Sequence, residues 1–319
     1  MIRTLRTSRG EWSQRHGWLI RWQDRDSGSA GYGEVAPLSE FGSESMAEAG
    51  DFLQSVEGDL TEEQWRQALS TAPPATAFGL WSAAFDASPQ AGQAEACLAG
   101  LLTIGPKSAE SVALLRASGM KTFKIKLGCE SADREWNWLT AIIHTLKPGE
   151  RLRLDPNQSW DQESWHFWQH HLGLFAEQIE FIEEPFPYDC APSDMVRMAE
   201  ESPVPLALDE SLSRDGLSQW LELGWPGYWI IKPSLSGLPD RWLAALATRP
   251  EKVVLSSAFE TGIGLSSLVR LTGPFNSVDH GFGTQDWFAD PFRAPQDNGW
   301  IRTLRPAEME KIWKDLPES

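Results

Sequence analysis

Six ionisable residues stand at the ends of short apolar runs, and their types suit proton abstraction beside a divalent metal. The runs are KTFKIKLG (121–128), RLRLDPN (151–157), IEFIEEP (179–185), PLALDES (205–211), YWIIKPS (228–234) and KVVLSSAFE (252–260). They carry Lys124, Lys126, Asp155, Glu183, Asp209 and Lys232. Three carboxylates gathered in a low-dielectric site repel one another unless a cation neutralises them. A set of all-oxygen ligands, with neither histidine nor thiolate, selects a hard ion such as Mg²⁺ or Mn²⁺. A substrate carboxylate bound to that ion has its α-proton acidified, because the cation stabilises the enediolate. The ammonium form of a lysine beside the ion and a second lysine is disfavoured, which brings it toward the range of a general base. Lys126 and Lys232 flank the acids on opposite sides. Lys124, with the same facing as Lys126, is expected to keep Lys126 basic and to help bind the substrate carboxylate.

Taken one at a time, these residues have ordinary readings. An Asp or Glu at a strand end is commonly a loop residue or a helix N-cap, and Pro233 after Lys232 could simply end a strand. Their spacing is what makes them a set. The intervals Lys126–Asp155, Asp155–Glu183, Glu183–Asp209, Asp209–Lys232 and Lys232–Ser256 are 29, 28, 26, 23 and 24 residues. Each interval is one strand plus one crossover helix, so the strands are parallel. In a closed parallel barrel all strand C-termini open on one face, where the six side chains converge. An open doubly wound sheet is the alternative, and the absence of a GxGxxG turn or a Walker A loop lowers it. Because side chains alternate, only one of Glu183 and Glu184 can face the barrel mouth. Glu183 is taken, since Glu184 adjoins Pro185. A last candidate strand is SVDHGFG (277–283).

The first 95 or so residues read differently. A strand around 17–22, a Gly/Ser turn at 27–33 and GEVAPL precede helices over about 44–56, 62–69 and 73–87. We expect an α+β capping domain over residues 1–95 and a (β/α)7β-type TIM-like barrel over 96–294. Residues 295–319 are expected to pack back on the cap.

With 28 basic and 45 acidic residues the net charge is −17. So acidic a surface repels phosphate backbones and anionic lipid, which argues against nucleic-acid and membrane partners. Cys97, Cys129 and Cys190 are far apart and form no CxxC pair, and the first residues hold no apolar core of a secretory signal, so a cytoplasmic setting is expected. The 17 tryptophans are read as packing residues, with Trp160, Trp165 and Trp168 on a helix. His166, His170 and His171 are read as its solvated surface.

The K-x-K pair, RLRLDPNQSW, FIEEP, ALDES and IIKPS, in that order, resemble the muconate-lactonising subgroup of the enolase superfamily. GYGEVAPLSEFGSES (31–45) is similar to the capping segment of that subgroup. Within it, LRLDPNQSW, SSAFETGIG (256–264) and GFGTQDWFADPF (281–292) are similar to the o-succinylbenzoate synthase family. That resemblance implies loss of water from 2-succinyl-6-hydroxy-2,4-cyclohexadiene-1-carboxylate, a small-molecule carboxylate substrate, in menaquinone or phylloquinone synthesis. It implies Mg²⁺ on Asp155, Glu183 and Asp209, with Lys126 as base and then acid toward the departing hydroxide. Lys232 becomes the cation that stabilises the enediolate. Asn157 would support the metal-ligand loop, and Ser256, Ser257 and the backbone around Gly262 would hold the succinyl arm. Dipeptide epimerases share the layout but carry an acidic D-x-D motif after the IKP strand, where this chain has PSLSGLPD. An N-acylamino-acid racemase, a muconate-type cycloisomerase and a non-catalytic metal-binding barrel are the other readings.

Overall fold

A computed structural model describes residues 5–7, 10–289 and 292–316. Strands β1 (Leu5–Thr7) and β2 (Gly10–Trp12) form one antiparallel pair, and β3 (Trp18–Gln23) and β4 (Ala30–Val35) another. Helices α1 (Met46–Ser55), α2 (Glu62–Thr71) and α3 (Pro74–Asp86) follow. Both α1 and α2 start at reciprocal capping boxes, Ser45 with Glu48 and Thr61 with Gln64, which satisfy amides that a helix start leaves unpaired. The first helix begins later than the pattern suggests because Glu44 is used elsewhere. Its carboxylate accepts from the backbone N–H groups of Ala75 (3.0 Å) and Thr76 (2.7 Å), capping α3. Helix α3 lies directly on β4, and Gly33 is what permits it: a Cβ there would sit 2.1 Å from the Gly79 carbonyl oxygen.

After β5 (Glu95–Cys97), strands and helices alternate. They are β6 (Ala99–Thr103), α4 (Ser108–Ala117), β7 (Thr122–Lys126), α5 (Ala132–Ile143), β8 (Arg151–Asp155) and α6 (Gln162–Leu172). Next come β9 (Ile179–Glu183), α7 (Pro192–Glu201), β10 (Leu206–Leu208), α8 (Glu210–Asp215) and α9 (Leu217–Glu222). The series ends with β11 (Tyr228–Ile231), α10 (Asp240–Leu246), β12 (Val253–Leu255) and α11 (Gly262–Arg270). Strands β6 to β12 form one parallel sheet in chain order, so each crossover joins neighbours. Phe181, Ala207, Ile230 and Val254 fill the inside of the curled sheet, and the outward residues pack on the helices.

Two features differ from the expectation. Strand β6 was not anticipated, because AGLLT is short and half of it is small. No strand forms over 277–283. The chain there bridges the two sheet edges through single pairs, Leu98 with His280 and Ser256 with Gly281. His280 N–H donates to Cys97 O (2.8 Å) and Gly281 N–H to Leu255 O (2.8 Å), so two residues act as the eighth stave and close the barrel.

Beyond the barrel, β13 (Gln296–Asp297) and β14 (Trp300–Arg302) pair with β5. Helix α12 (Pro306–Lys314) packs Met309, Ile312 and Trp313 against Tyr32 and Leu19 of β4 and β3. Among the described residues no helix is long and apolar enough to cross a membrane. Trp160 and Trp168 are buried and stacked at 5.1 Å, with Trp165 edge-on to Phe186, but Trp160 precedes α6 instead of lying on it, and Trp300 is exposed.

Candidate active site

The strands end where the chemistry begins. β8 stops at Asp155 because Asn157 and Gln158 take left-handed backbone angles (φ 50° and 63°), and β9 stops at Glu183 because Glu184 does the same (φ 44°). In register, Lys126 sits beside Asp155 and Glu183 beside Ala207. Parity then sends Lys124, Lys126, Asp155 and Glu183 inward, joined by Asp209 and Lys232. All six line one cavity of about 410 Å³ at the C-terminal mouth of the barrel. Glu184 points elsewhere: its buried carboxylate accepts from the Asp209 N–H (2.8 Å) and from the Ser211 hydroxyl, holding the start of α8 in place.

Charges in the cavity pair in a definite way. The Lys124 ammonium lies 3.0 Å from Asp155 Oδ2 and 2.5 Å from Glu183 Oε1. Lys232 forms an ion pair with Asp209 and lies 5.6 Å from the centroid of the Phe41 ring. Burial disfavours both ammonium groups, yet the neighbouring carboxylates outweigh it and hold both above the usual lysine range. Each of these two amines has a carboxylate as its hydrogen-bonded neighbour. Among the described residues neither a hydrogen bond nor an ion pair engages the side-chain amine of Lys126, which lines the cavity.

The acids differ among themselves. Burial, with Asp155 and Asp209 nearby, pushes Glu183 up to about 7 even though Lys124 opposes it. Burial works against Asp209 as well, but Lys232 and Lys124 bring it below the usual carboxylate range. Glu210, also lining the cavity, is raised to about 8 by burial and by Asp209. Burial and mutual repulsion thus act against ionisation of Glu183 and Glu210, while the ammonium groups favour ionised Asp209. Among the described residues, no three His, Cys, Asp or Glu side chains are already arranged to ligate one ion, and Lys124 and Lys232 contact all three of these carboxylates. The donor set is three buried carboxylates from successive strands, and it fits a hard divalent cation that takes over contacts now made by ammonium.

Asn157, Ser256 and Ser257 also line the cavity. Asn157 N–H donates to Asp155 Oδ1 (3.1 Å), which ties the loop to that carboxylate. Ser257 Oγ is 2.7 Å from Thr284 Oγ1. Gly262 does not line the cavity: its N–H donates to Phe292 O (2.7 Å), and its Cα packs on residues 293–294. The lining residues missed in the sequence include Phe41, Arg153, Glu210 and Thr284. Only Arg153 carried a signal, since it shares the facing of Asp155 two residues on. Buried in the layer below, it pairs with Glu180 (2.6 Å) and lies 4.8 Å over the Phe181 ring.

Comparison with known proteins agrees with this fold. Residues 107–248 match the family model "Enolase C-terminal domain-like", and residues 4–87 match "MenC, N-terminal domain". The o-succinylbenzoate synthase of Thermosynechococcus vestitus is 33% identical over 98% of this chain and 95% of its own length. The o-succinylbenzoate synthase of Aliivibrio fischeri strain ES114 is 28% identical over 95% and 92%. The crystal structure of o-succinylbenzoate synthase from Thermosynechococcus elongatus BP-1, complexed with Mg in the active site, superposes with a TM-score of 0.83. It is 31% identical and covers 98% of this chain and 96% of that one.

Proposed function

The chain belongs to the o-succinylbenzoate synthase family of the enolase superfamily, and from that premise we propose how its residues divide the work. It is a hydro-lyase that removes water from 2-succinyl-6-hydroxy-2,4-cyclohexadiene-1-carboxylate to give o-succinylbenzoate. The product serves quinone synthesis, menaquinone or phylloquinone. Asp155, Glu183 and Asp209 would hold Mg²⁺, or Mn²⁺ in its place. Bound there, the ion stabilises the negative charge that develops on the substrate carboxylate as the α-proton leaves.

Lys126 takes that proton on Nζ, and then returns it to the departing hydroxide from the same side. Lys232 remains an ammonium on the opposite flank and stabilises the enediolate. Lys124 binds and orients the carboxylate. Ser256 and Ser257 orient the succinyl arm, and Asn157 steadies the loop behind Asp155. Phe41 and the cap exclude water above Lys232. The observation that carries this division is the contrast among the three lysines. A lysine paired with a buried carboxylate stays protonated and cannot accept a proton, and of the three cavity lysines only Lys126 has an amine that no carboxylate among the described residues pairs.

We assign residues 1–95 to the cap and 96–294 to the barrel, and place the enzyme in the cytoplasm with a small-molecule partner only. Incubation of the purified protein with the cyclohexadiene carboxylate and Mg²⁺ tests the reading. The aromatic product should accumulate and absorb in the ultraviolet. Recovery of unchanged substrate would refute it.

A further inference from the structure

Lys126 is the last residue of β7, and the chain beyond it turns away from the cavity at once. Leu127 N–H donates to Asp155 O (2.9 Å), after which the backbone has no strand partner. The next three amides meet one side chain. Gly128 N–H donates to Glu135 Oε2 (3.0 Å), and the N–H groups of Cys129 and Glu130 donate to Glu135 Oε1 (2.8 and 3.0 Å). Glu135 lies in the first turn of α5 and is 1% exposed. A buried carboxylate that accepts three backbone N–H groups at these distances fixes the path of the turn, because losing them would leave the carboxylate itself buried and unsatisfied.

The turn is also wedged from the other side. Gly128 is left-handed (φ +79°), and a Cβ there would come within 2.1 Å of Ser159 Oγ, in the loop that follows Asp155. Glu135 therefore clamps the turn against the loop behind one of the acids. It does so two residues beyond the amine that faces the cavity.

We propose that Glu135 is a positioning residue for Lys126: its carboxylate gathers the 128–130 amides and so fixes the strand end from which the amine reaches the substrate. This rests on Lys126 being the base. Misplacement of a reacting group by about 1 Å costs on the order of a hundredfold in rate, so the clamp acts on kcat. KM should change little, since Lys124 and the serines remain in place.

The experiment is a double-mutant cycle. Glu135→Ala and Glu135→Gln are made alone and combined with Lys126→Ala, with kcat and KM measured for each. Amide hydrogen exchange at 128–130 and thermal melting accompany them. Expected are a fall in kcat of about ten- to a hundredfold for Glu135→Ala, a smaller fall for Glu135→Gln, faster exchange confined to the turn, and no further loss once Lys126 is gone. Glu135→Gln keeps one acceptor oxygen and serves if the alanine variant fails to fold. Wild-type kcat in a folded variant, or an equal loss in both backgrounds, would overturn the proposal. Should Lys126→Ala alone retain activity, the base assignment fails on that single variant and the positioning role goes with it.

Discussion

Lys124 Nζ and Glu183 Oε1 meet at 2.5 Å across the whole width of an intervening strand, β8. Side chains from alternate strands meet in this way inside a closed barrel. Together with Lys232 on Asp209, the contact gives the acids partners supplied by the chain itself. Fold and activity should therefore part company when metal is removed. Excess EDTA is expected to abolish turnover, and added Mg²⁺ to restore it, while the far-UV circular dichroism stays unchanged. Unfolding in EDTA, or undiminished turnover, would contradict the site.

Lys126→Ala is expected to lower kcat by at least about a thousandfold, within the range attributed to a lost general base. The melting temperature should barely move, because no carboxylate depends on this amine. Activity within about tenfold of wild type would exclude the role.

Glu184 supports Asp209 without lining the cavity, through the 2.8 Å bond from the Asp209 N–H and the Ser211 hydroxyl. Loss of such a support typically weakens metal binding by about ten- to a hundredfold. Glu184→Ala should raise the Mg²⁺ concentration giving half-maximal rate by that factor, with kcat largely recovered at saturation. An unchanged Mg²⁺ requirement would show that Asp209 holds its place unaided.

His280 links the closing segment to pH. Its Nδ1 accepts the Leu255 N–H (3.1 Å), and burial, aided by the charge of Arg153, lowers its pKa to about 3. In the unfolded chain the imidazole titrates near about 6.5. Between those values the unfolded state binds the extra proton, so stability falls as pH drops from about 6.5 toward 3 and is unaffected by this group above that window. The slope contributed is at most about 1.4 kcal/mol per pH unit. Urea unfolding of wild type and His280→Asn across pH 4–7 should differ in slope by this group's share, and parallel slopes would remove the assignment.

The six charged positions of the cavity were legible in the sequence because a parallel barrel turns a linear interval into convergence. Lys126, Asp155 and Glu183 each end a strand, Asp209 and Lys232 each follow one directly, and parity with Pro185 separates Glu183 from Glu184. What escaped depends on contacts between distant segments. Phe41 reaches Lys232 from the cap, Thr284 meets Ser257 through the closing segment, and Glu135 folds back on a turn that looks like any loop. The pairing of each lysine with a particular carboxylate also escaped, since it depends on which side chains meet across the barrel. Gly262 sits one residue inside α11 with its N–H already engaged by Phe292, so its serine- and glycine-rich surroundings pointed to the wrong atom.

Glu34, from the GEVAPL segment, ends on a helix of the other half of the molecule. Its buried carboxylate accepts the N–H groups of Thr261 (2.9 Å) and Gly264 (3.1 Å) and the Thr261 hydroxyl (2.6 Å), at the start of α11. Neither half is thus a self-sufficient module. A fragment beginning near residue 96 would carry bare amides where α11 starts, and a cap grafted from a relative would have to bring an acid to the same spot. Recombination between relatives should therefore succeed only where that acid survives the crossover.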